Sequence, residues 1–448
     1  MAKNRFIERP RSFCALGGAL LTVEALPEVV PILHTAMGCG GSIYWNQYGS
    51  TGYLGAGYCG GLAVPSSNIG EQDIVFGGLD RLEEQVKSTV ELVEGNLYVI
   101  LTGCTADIIG DDVQAVVRQY REEGVAIIGA ETGGFHGDGY RGYDIVLSAL
   151  VRDYIKKQDT KKKNKVNLLG IVPGQDVFWR GNLLKLRELL EQLGLEVNSF
   201  FTEEDTLSGI QNAGDAALTI VASEFYGIGV AKELEEIHGI PYLTNPFPIG
   251  PAATTAFIRS VAKALGQDTT RVEEIVSKET KRYFHYVERF ADAYNDQDWQ
   301  RYAVVVGDAN YAPALTKFLA DDLGWVPKVC IISDDLEDFQ KEKVTGIIES
   351  LETKLPVDVY YESDPTEVKT HFWKTVPRKS DSLFQDTFSP AFVVGSHLER
   401  EFAIDLGAGH LSVSYPVGNR LVLDRGYAGF SGSLSLIEDL IAVIVAQR

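Results

Sequence analysis

Three cysteines sit where a thiolate could do inorganic chemistry. Cys14 lies in Phe13-Cys14-Ala15-Leu16-Gly17-Gly18, Cys39 in Met37-Gly38-Cys39-Gly40-Gly41, and Cys104 in Thr102-Gly103-Cys104-Thr105. Glycine beside a thiolate lets the backbone close on a bulky cluster and turns amide N–H groups towards its sulfides. An ordinary core cysteine needs neither, although a free cysteine also serves as a small buried hydrophobe. No Cys-x-x-Cys pair concentrates the ligands, and three thiolates are one short of a four-cysteine iron–sulfur site. If these residues hold metal, a partner chain or a ligand of another type must complete the site. Cys330, inside the apolar run Val329–Ile332, reads as core, while Cys59 in Gly57-Tyr58-Cys59-Gly60-Gly61 fits either role.

Two other chemistries are weighed on the same terms. The adjacent carboxylates Asp111-Asp112 could bind a metal or do acid/base work, but they precede a helix beginning near Val113, where N-capping and helix-dipole complementarity explain them better. A nucleotide site is excluded by its motifs. Neither Gly-x-Gly-x-x-Gly nor Gly-x-x-x-x-Gly-Lys-Ser/Thr falls between a strand and its helix.

The elements that must position these residues read as α/β layers. Short apolar runs at 97–101, 125–128, 166–171, 218–222, 303–306, 329–332 and 392–394 predict buried parallel strands, each followed by a helical pattern. Helices are expected over 183–193, ending at Gly194, and over 231–237, ending before Gly239-Ile240-Pro241. Cys104 follows the first of these strands at its carboxyl end, where ligands gather in open α/β sheets. Cys14 and Cys39 lie in turn-like sequence able to reach the same place. The lysine-rich stretch 156–165 reads as a solvated linker, and a polar helical segment spans 272 to about 300. Three α/β units are expected: about 1–160 carrying the cysteines, 165–285 and 286–448.

Length and composition agree with that plan. A chain of 448 residues is too long for one compact core, and 45% hydrophobic with 23% charged residues is ordinary for a folded protein. The net charge of -21 would repel a phosphate backbone, so nucleic acid and anionic membrane are poor partners. The longest apolar candidate, 15–33, is broken by Glu24 and Glu28, so no transmembrane helix is expected. The basic N-terminus leads into no signal-like apolar core, and five cysteines are too few and odd in number for a disulfide framework. A cytoplasmic location is expected.

At the cysteines the chain resembles component 1 of the nitrogenase family, meaning the α and β subunits of the molybdenum-iron, vanadium-iron and iron-iron proteins and their assembly and chlorophyll-pathway relatives. Family members carry one cysteine near the start, one in a His-Gly-x-x-Gly-Cys turn and one before an Ile-Gly-Asp-Asp helix. Here these are Cys14, then His34-Thr35-Ala36-Met37-Gly38-Cys39, then Cys104 through Ile109-Gly110-Asp111-Asp112. Glu71 through Phe76-Gly77-Gly78 resembles the family's Glu-x-x-x-Val-Phe-Gly-Gly segment, and weaker likeness runs through 166–174, 239–241 and 426–432.

The resemblance implies three Rossmann-like domains, each a parallel sheet flanked by helices. It implies that Cys14, Cys39 and Cys104 ligate the iron of an iron–sulfur cluster, a P-cluster or a related [4Fe–4S] cluster, shared with a partner subunit. That partner is a homologous component 1 subunit, as in a heterotetramer, or a second copy of this chain. An ATP-dependent iron protein would dock over a surface including residues 66–78 and deliver electrons. Two departures stand against cofactor ligation. Ser223 occupies the place of the catalytic subunits' cofactor cysteine, and no histidine lies near Pro416–Asn419, with His397 and His410 reading as core or surface residues. The chain is therefore β-type or scaffold-type in this respect. The leading expectation is an electron-relaying subunit of a nitrogenase or nitrogenase-like reductase. The rivals are an iron–sulfur scaffold for cofactor assembly and a metal-free small-molecule binder.

Overall fold

The computed structural model describes residues 7, 10–53, 64–377 and 388–447; Cys59 lies outside them. Among the described residues twelve strands form three sheets, all parallel, with helices on their faces, the α/β class expected from the apolar runs. The chain divides into two compact units. Residues 12–221 with 226–244 hold the first two sheets, and 245–448 with 222–225 and the described part of 1–11 hold the third.

The first sheet has the order β1 (Val29–His34), β2 (Leu97–Thr102) and β3 (Ile127–Ala130). β2 is buried along its whole length because helices cover both faces. On one face, Leu82 and Val86 of α4 (Leu79–Leu92) and Val113, Val116, Val117 and Tyr120 of α6 (Val113–Glu122) pack against Ile32, Ile100 and Ile127. The other face meets α1 (Ala15–Ala25) and α7 (Gly139–Asp153). These two helices touch backbone to backbone. A Cβ on Gly18 would lie 2.0 Å from the Gly139 carbonyl oxygen, and one on Gly142 would lie 2.1 Å from that of Ala15. Only glycine permits this approach, and it fixes the start of α1, where Cys14 is the N-terminal flanking residue.

The second sheet has the order β5 (Glu196–Asn198), β4 (Lys162–Leu169), β6 (Ala216–Val221) and β7 (Tyr242–Thr244). Here the expected linker is corrected. Its last residues, from Lys162 onward, are the start of β4, and the buried Lys165 ammonium pairs with Asp215 at 2.7 Å and donates to the Asn212 carbonyl. A buried partner turns a lysine that sequence assigns to solvent into a strand residue.

In the other unit the order is β10 (Asp358–Tyr361), β9 (Val326–Ile332), β8 (Tyr302–Gly307), β11 (Ala391–Gly395) and β12 (Gly409–Ser412). Val304, Val306, Val329, Ile331 and Val393 of these strands pack against Val368, Phe372 and Phe402. The polar helical segment is one 28-residue helix, Thr269–Asp296. The helix Gly429–Ala446, with mean hydropathy 1.6, is long and apolar enough to cross a bilayer, although Glu438 and Asp439 interrupt its apolar sequence. Half of it is buried. Leu436, Leu440 and Ile444 face the core, while Asp439 accepts from Arg420, Arg425 and Tyr427, the pattern of a core helix.

Candidate functional site

The three singled-out cysteines all belong to the carboxyl edge of the first sheet and its flanking helices. His34 and Thr102 end β1 and β2 in register, so the segments that follow leave the sheet side by side. One runs into α2 (Met37–Ser50) with Cys39 in its first turn, and the other into α5 (Cys104–Ile109), opened by Cys104 itself. The two segments are in close contact, since a Cβ on Gly103 would lie 1.9 Å from Thr35 Oγ1. Cys14 arrives from the third side, through an antiparallel bridge to Asp138 and the Ala15 N–H donated to the Gly137 carbonyl.

Gly134 joins two of the thiols. Its N–H donates to Cys104 Sγ at 3.0 Å, and a Cβ there would stand 3.2 Å from Cys104 Sγ and 3.8 Å from Cys14 Sγ. A methyl group would crowd the space between the two sulfurs. Cys14 and Cys104 are exposed and Cys39 is partly so. Cys330 is buried in β9, where burial pushes its thiol up to about 12, so it stays protonated and inert. Among the described residues no three His, Cys, Asp or Glu side chains converge tightly enough to hold a single metal ion. Cys14 and Cys104 thus share the Gly133–His136 turn, with one backbone donor aimed at the Cys104 sulfur.

Two polar ties that sequence reasoning missed brace this edge. In the first, buried His34 reaches Ser67 Oγ from Nδ1 at 2.9 Å and Asp111 Oδ2 from Nε2 at 3.0 Å. Desolvation lowers the His34 pKa, outweighing the raising effect of Asp111, so the ring is neutral, with Nε2–H donating to the carboxylate and Nδ1 accepting from the hydroxyl. Asp111 also accepts the Gly78 N–H at 3.0 Å and 3.1 Å. Asp112 alone is the helix cap, accepting from the Ala115 N–H. Of the adjacent carboxylates, one caps α6 and the other ties the histidine of the Cys39 turn to the segment after α3 (Glu71–Phe76). In the second tie, Asp107 Oδ2 accepts from the Gly133 N–H at 2.9 Å and meets His136 Nε2 at 3.1 Å. The available signal was spacing, because Asp107 is one helical turn beyond Cys104.

Large apolar side chains stand exposed beside the cysteines: Met37 at 74%, Ile108 at 76% and Phe135 at 59%, with Phe76 at 87% on α3. Ser223 is fully buried and donates to Asn310 Oδ1 at 2.7 Å, and His410 Nε2 is bound to the Ser396 carbonyl at 2.9 Å.

Residues 14–445 match the family described as nitrogenase component 1 type oxidoreductase. The chain is 23% identical to a nitrogenase vanadium-iron protein beta chain from Trichormus variabilis, covering 93% of this chain and 90% of that one. It is 23% identical to a nitrogenase molybdenum-iron protein beta chain from Methanococcus maripaludis, covering 96% and 93%. A nitrogenase iron-molybdenum cofactor biosynthesis protein NifE from the same species is 27% identical over 60% of this chain and 55% of its own length. In fold, the chain superimposes with a TM-score of 0.80 on a structure titled "Nitrogenase Cp1 at pH 6.5", at 18% identity and covering 100% and 95% of the two chains. A fold of three parallel sheets, a thiol-rimmed sheet edge and a match spanning nearly the whole length agree: this chain belongs to the nitrogenase component 1 family of oxidoreductases, whose members bind iron–sulfur clusters and include beta chains and NifE-type relatives.

Proposed function

We propose that this chain is a component 1-type subunit that holds an iron–sulfur cluster at an interface through Cys14, Cys39 and Cys104 and relays electrons from an ATP-dependent iron protein to a substrate-reducing site on its partner. The observation that carries this reading is the Gly134 amide aimed at Cys104 Sγ with Cys14 on its other side. A cluster bound there, P-cluster type or [4Fe–4S], would supply one-electron storage. The protein's own share is to fix the thiolates, to lend an N–H donor to sulfur and to exclude water with the residues around them. Three thiolates leave a cluster incomplete, so the partner provides the rest. The exposed Met37, Ile108 and Phe135 flank the cysteines as an apolar surface suited to a homologous subunit or a second copy of this chain. The iron protein would approach over residues 66–78, where Phe76 stands out. We assign the chain to the cytoplasm, and we assign one domain to each sheet, with divisions near 160–165 and 285–286.

A second reading is an assembly scaffold that carries the same cluster and matures a cofactor precursor. It is favoured by the likeness to the biosynthesis protein. The metal-free binder is the third reading. The chain, purified with its partner, is assayed with an iron protein, ATP and the substrates of nitrogenase-type enzymes, and separately for transfer of bound precursor to an apo component 1. Turnover that requires ATP supports the relay; transfer without turnover moves the assignment to the scaffold.

A further inference from the structure

The Gly134 amide does not find Cys104 unaided. Cys104 and Asp107 lie three residues apart on α5 and share one face of its first turn. The turn Gly133–His136 spans both. Asp107 Oδ2 takes the Gly133 N–H at 2.9 Å at the start of the turn and meets His136 Nε2 at 3.1 Å at its end, while the His136 N–H closes the turn onto the Gly133 carbonyl at 2.9 Å. The fit is tight: a Cβ on Gly133 would lie 2.4 Å from Asp107 Oδ2. The carboxylate thus grips both ends of the four-residue turn Gly133–His136, and the N–H of its second residue, Gly134, points at Cys104 Sγ. Phe135, inside the same span, is exposed, with its ring centroid 4.7 Å from that of His136.

We propose that Asp107 is a positioning residue for the cluster: by clamping the Gly133–His136 turn it holds the Gly134 N–H on Cys104 Sγ and so sets the reduction potential of a cluster bound there. The inference rests on the cluster reading above. An N–H donor to a cluster thiolate favours the reduced, more negative state and raises the potential, whereas a nearby carboxylate disfavours that state and lowers it. The two effects have opposite signs, which makes the clamp separable from a bare charge. Removing the side chain in D107A takes away charge and clamp together. D107N takes away the charge but keeps an oxygen that accepts the Gly133 N–H.

Wild type, D107A, D107N and H136A are purified without oxygen in their assembled state and compared for iron per chain, far-UV circular dichroism and midpoint potential by EPR-monitored redox titration. The clamp predicts that the D107A potential falls below wild type, that D107N titrates at or above wild type, restoring the loss, and that H136A shifts downward by less than D107A. A bare charge would raise D107A and D107N alike, and equal potentials in these two variants overturn the proposal. Should D107A lose its iron or its fold, H136A carries the test, because its side chain is 35% exposed and its removal leaves the core intact; an unshifted H136A potential then overturns the clamp. Wild type without iron would remove the cluster reading itself, whereas a wild-type cluster indifferent to these substitutions removes only the clamp.

Discussion

Two sheet edges in this molecule occupy the same place in their topology and are finished in opposite ways. At the carboxyl edge of the sheet β10-β9-β8-β11-β12, two buried carboxylates are met by donors. Asp308, just beyond β8, is buried and accepts the N–H groups of Asn310 and Tyr311 and the Ser414 hydroxyl. Burial raises its pKa, and those donors offset part of the rise. Glu399, beyond β11, accepts from Ser396 and pairs with the buried Arg11. Burial alone would raise its pKa, but the guanidinium and hydrogen bonds hold it below the usual carboxylate range. At the carboxyl edge of the first sheet, the polar groups brace a surface. His34, Asp111 and Asp107 are spent on tying loops, while the thiols of Cys14 and Cys104 stay exposed with a donor aimed at one of them. The lesson is one of direction. An edge that closes on itself contributes stability, whereas an edge whose braced loops leave thiols exposed keeps side chains to spare for a ligand.

The largest effect that tests this contrast is on metal content. Cys104→Ala should lower iron per chain at least about tenfold while leaving the melting temperature nearly unchanged, because an exposed thiol contributes little packing. Full iron retention in that variant would remove Cys104 from the site. Asp308→Ala should do the reverse. It leaves two N–H groups and a hydroxyl without their acceptor in a buried place, so unfolding in denaturant should cost about 4 kcal/mol less, with iron per chain unchanged.

A subtler effect sits within the bracing itself. Glu24, in the last turn of α1, accepts from Gln47 of α2, and burial pushes its carboxyl up from 4.5 to about 7. The folded chain holds this proton more tightly than the unfolded one. Its stabilising share is therefore complete below pH 4.5 and is lost as pH rises through 7. Glu24→Gln mimics the protonated form, so thermal melts should coincide with wild type near pH 4.5 and lie above it at pH 8, by up to about 3 kcal/mol. Equal melts at both values would show that the carboxyl between the two cysteine-bearing helices is solvated. The smallest effect is on association. Phe135→Ser should weaken pairing with the partner subunit by about 1 kcal/mol, read as a several-fold rise in Kd by sedimentation.

Much of this was legible in the residues. Runs such as Leu97–Leu101 and Ala303–Val306 are apolar on both faces, and only a covered parallel strand needs that. The cysteines announced themselves through their glycines. β1, by contrast, carries Pro31 and ends in His34, and β12 reads Gly-His-Leu-Ser, so neither is an apolar run. Their strand character comes from neighbours: β1 pairs with β2, and β12 with β11. The same holds for Lys162–Lys165, which looked solvated because Asp215 is some fifty positions away. At the site, the Cys104 loop could be placed but its donor could not, since Gly134 lies thirty residues on and meets the thiol only through the fold. His34 and Asp111, seventy-seven positions apart, are hidden for the same reason.

The central claim is that the first sheet's edge holds half of a shared iron–sulfur cluster. Iron and acid-labile sulfide per chain, measured in protein purified without oxygen both alone and co-expressed with a homologous component 1 subunit, test it most directly. The account predicts about two to four irons per chain with matching sulfide in at least the co-expressed form. Iron well below one per chain in both preparations would contradict it.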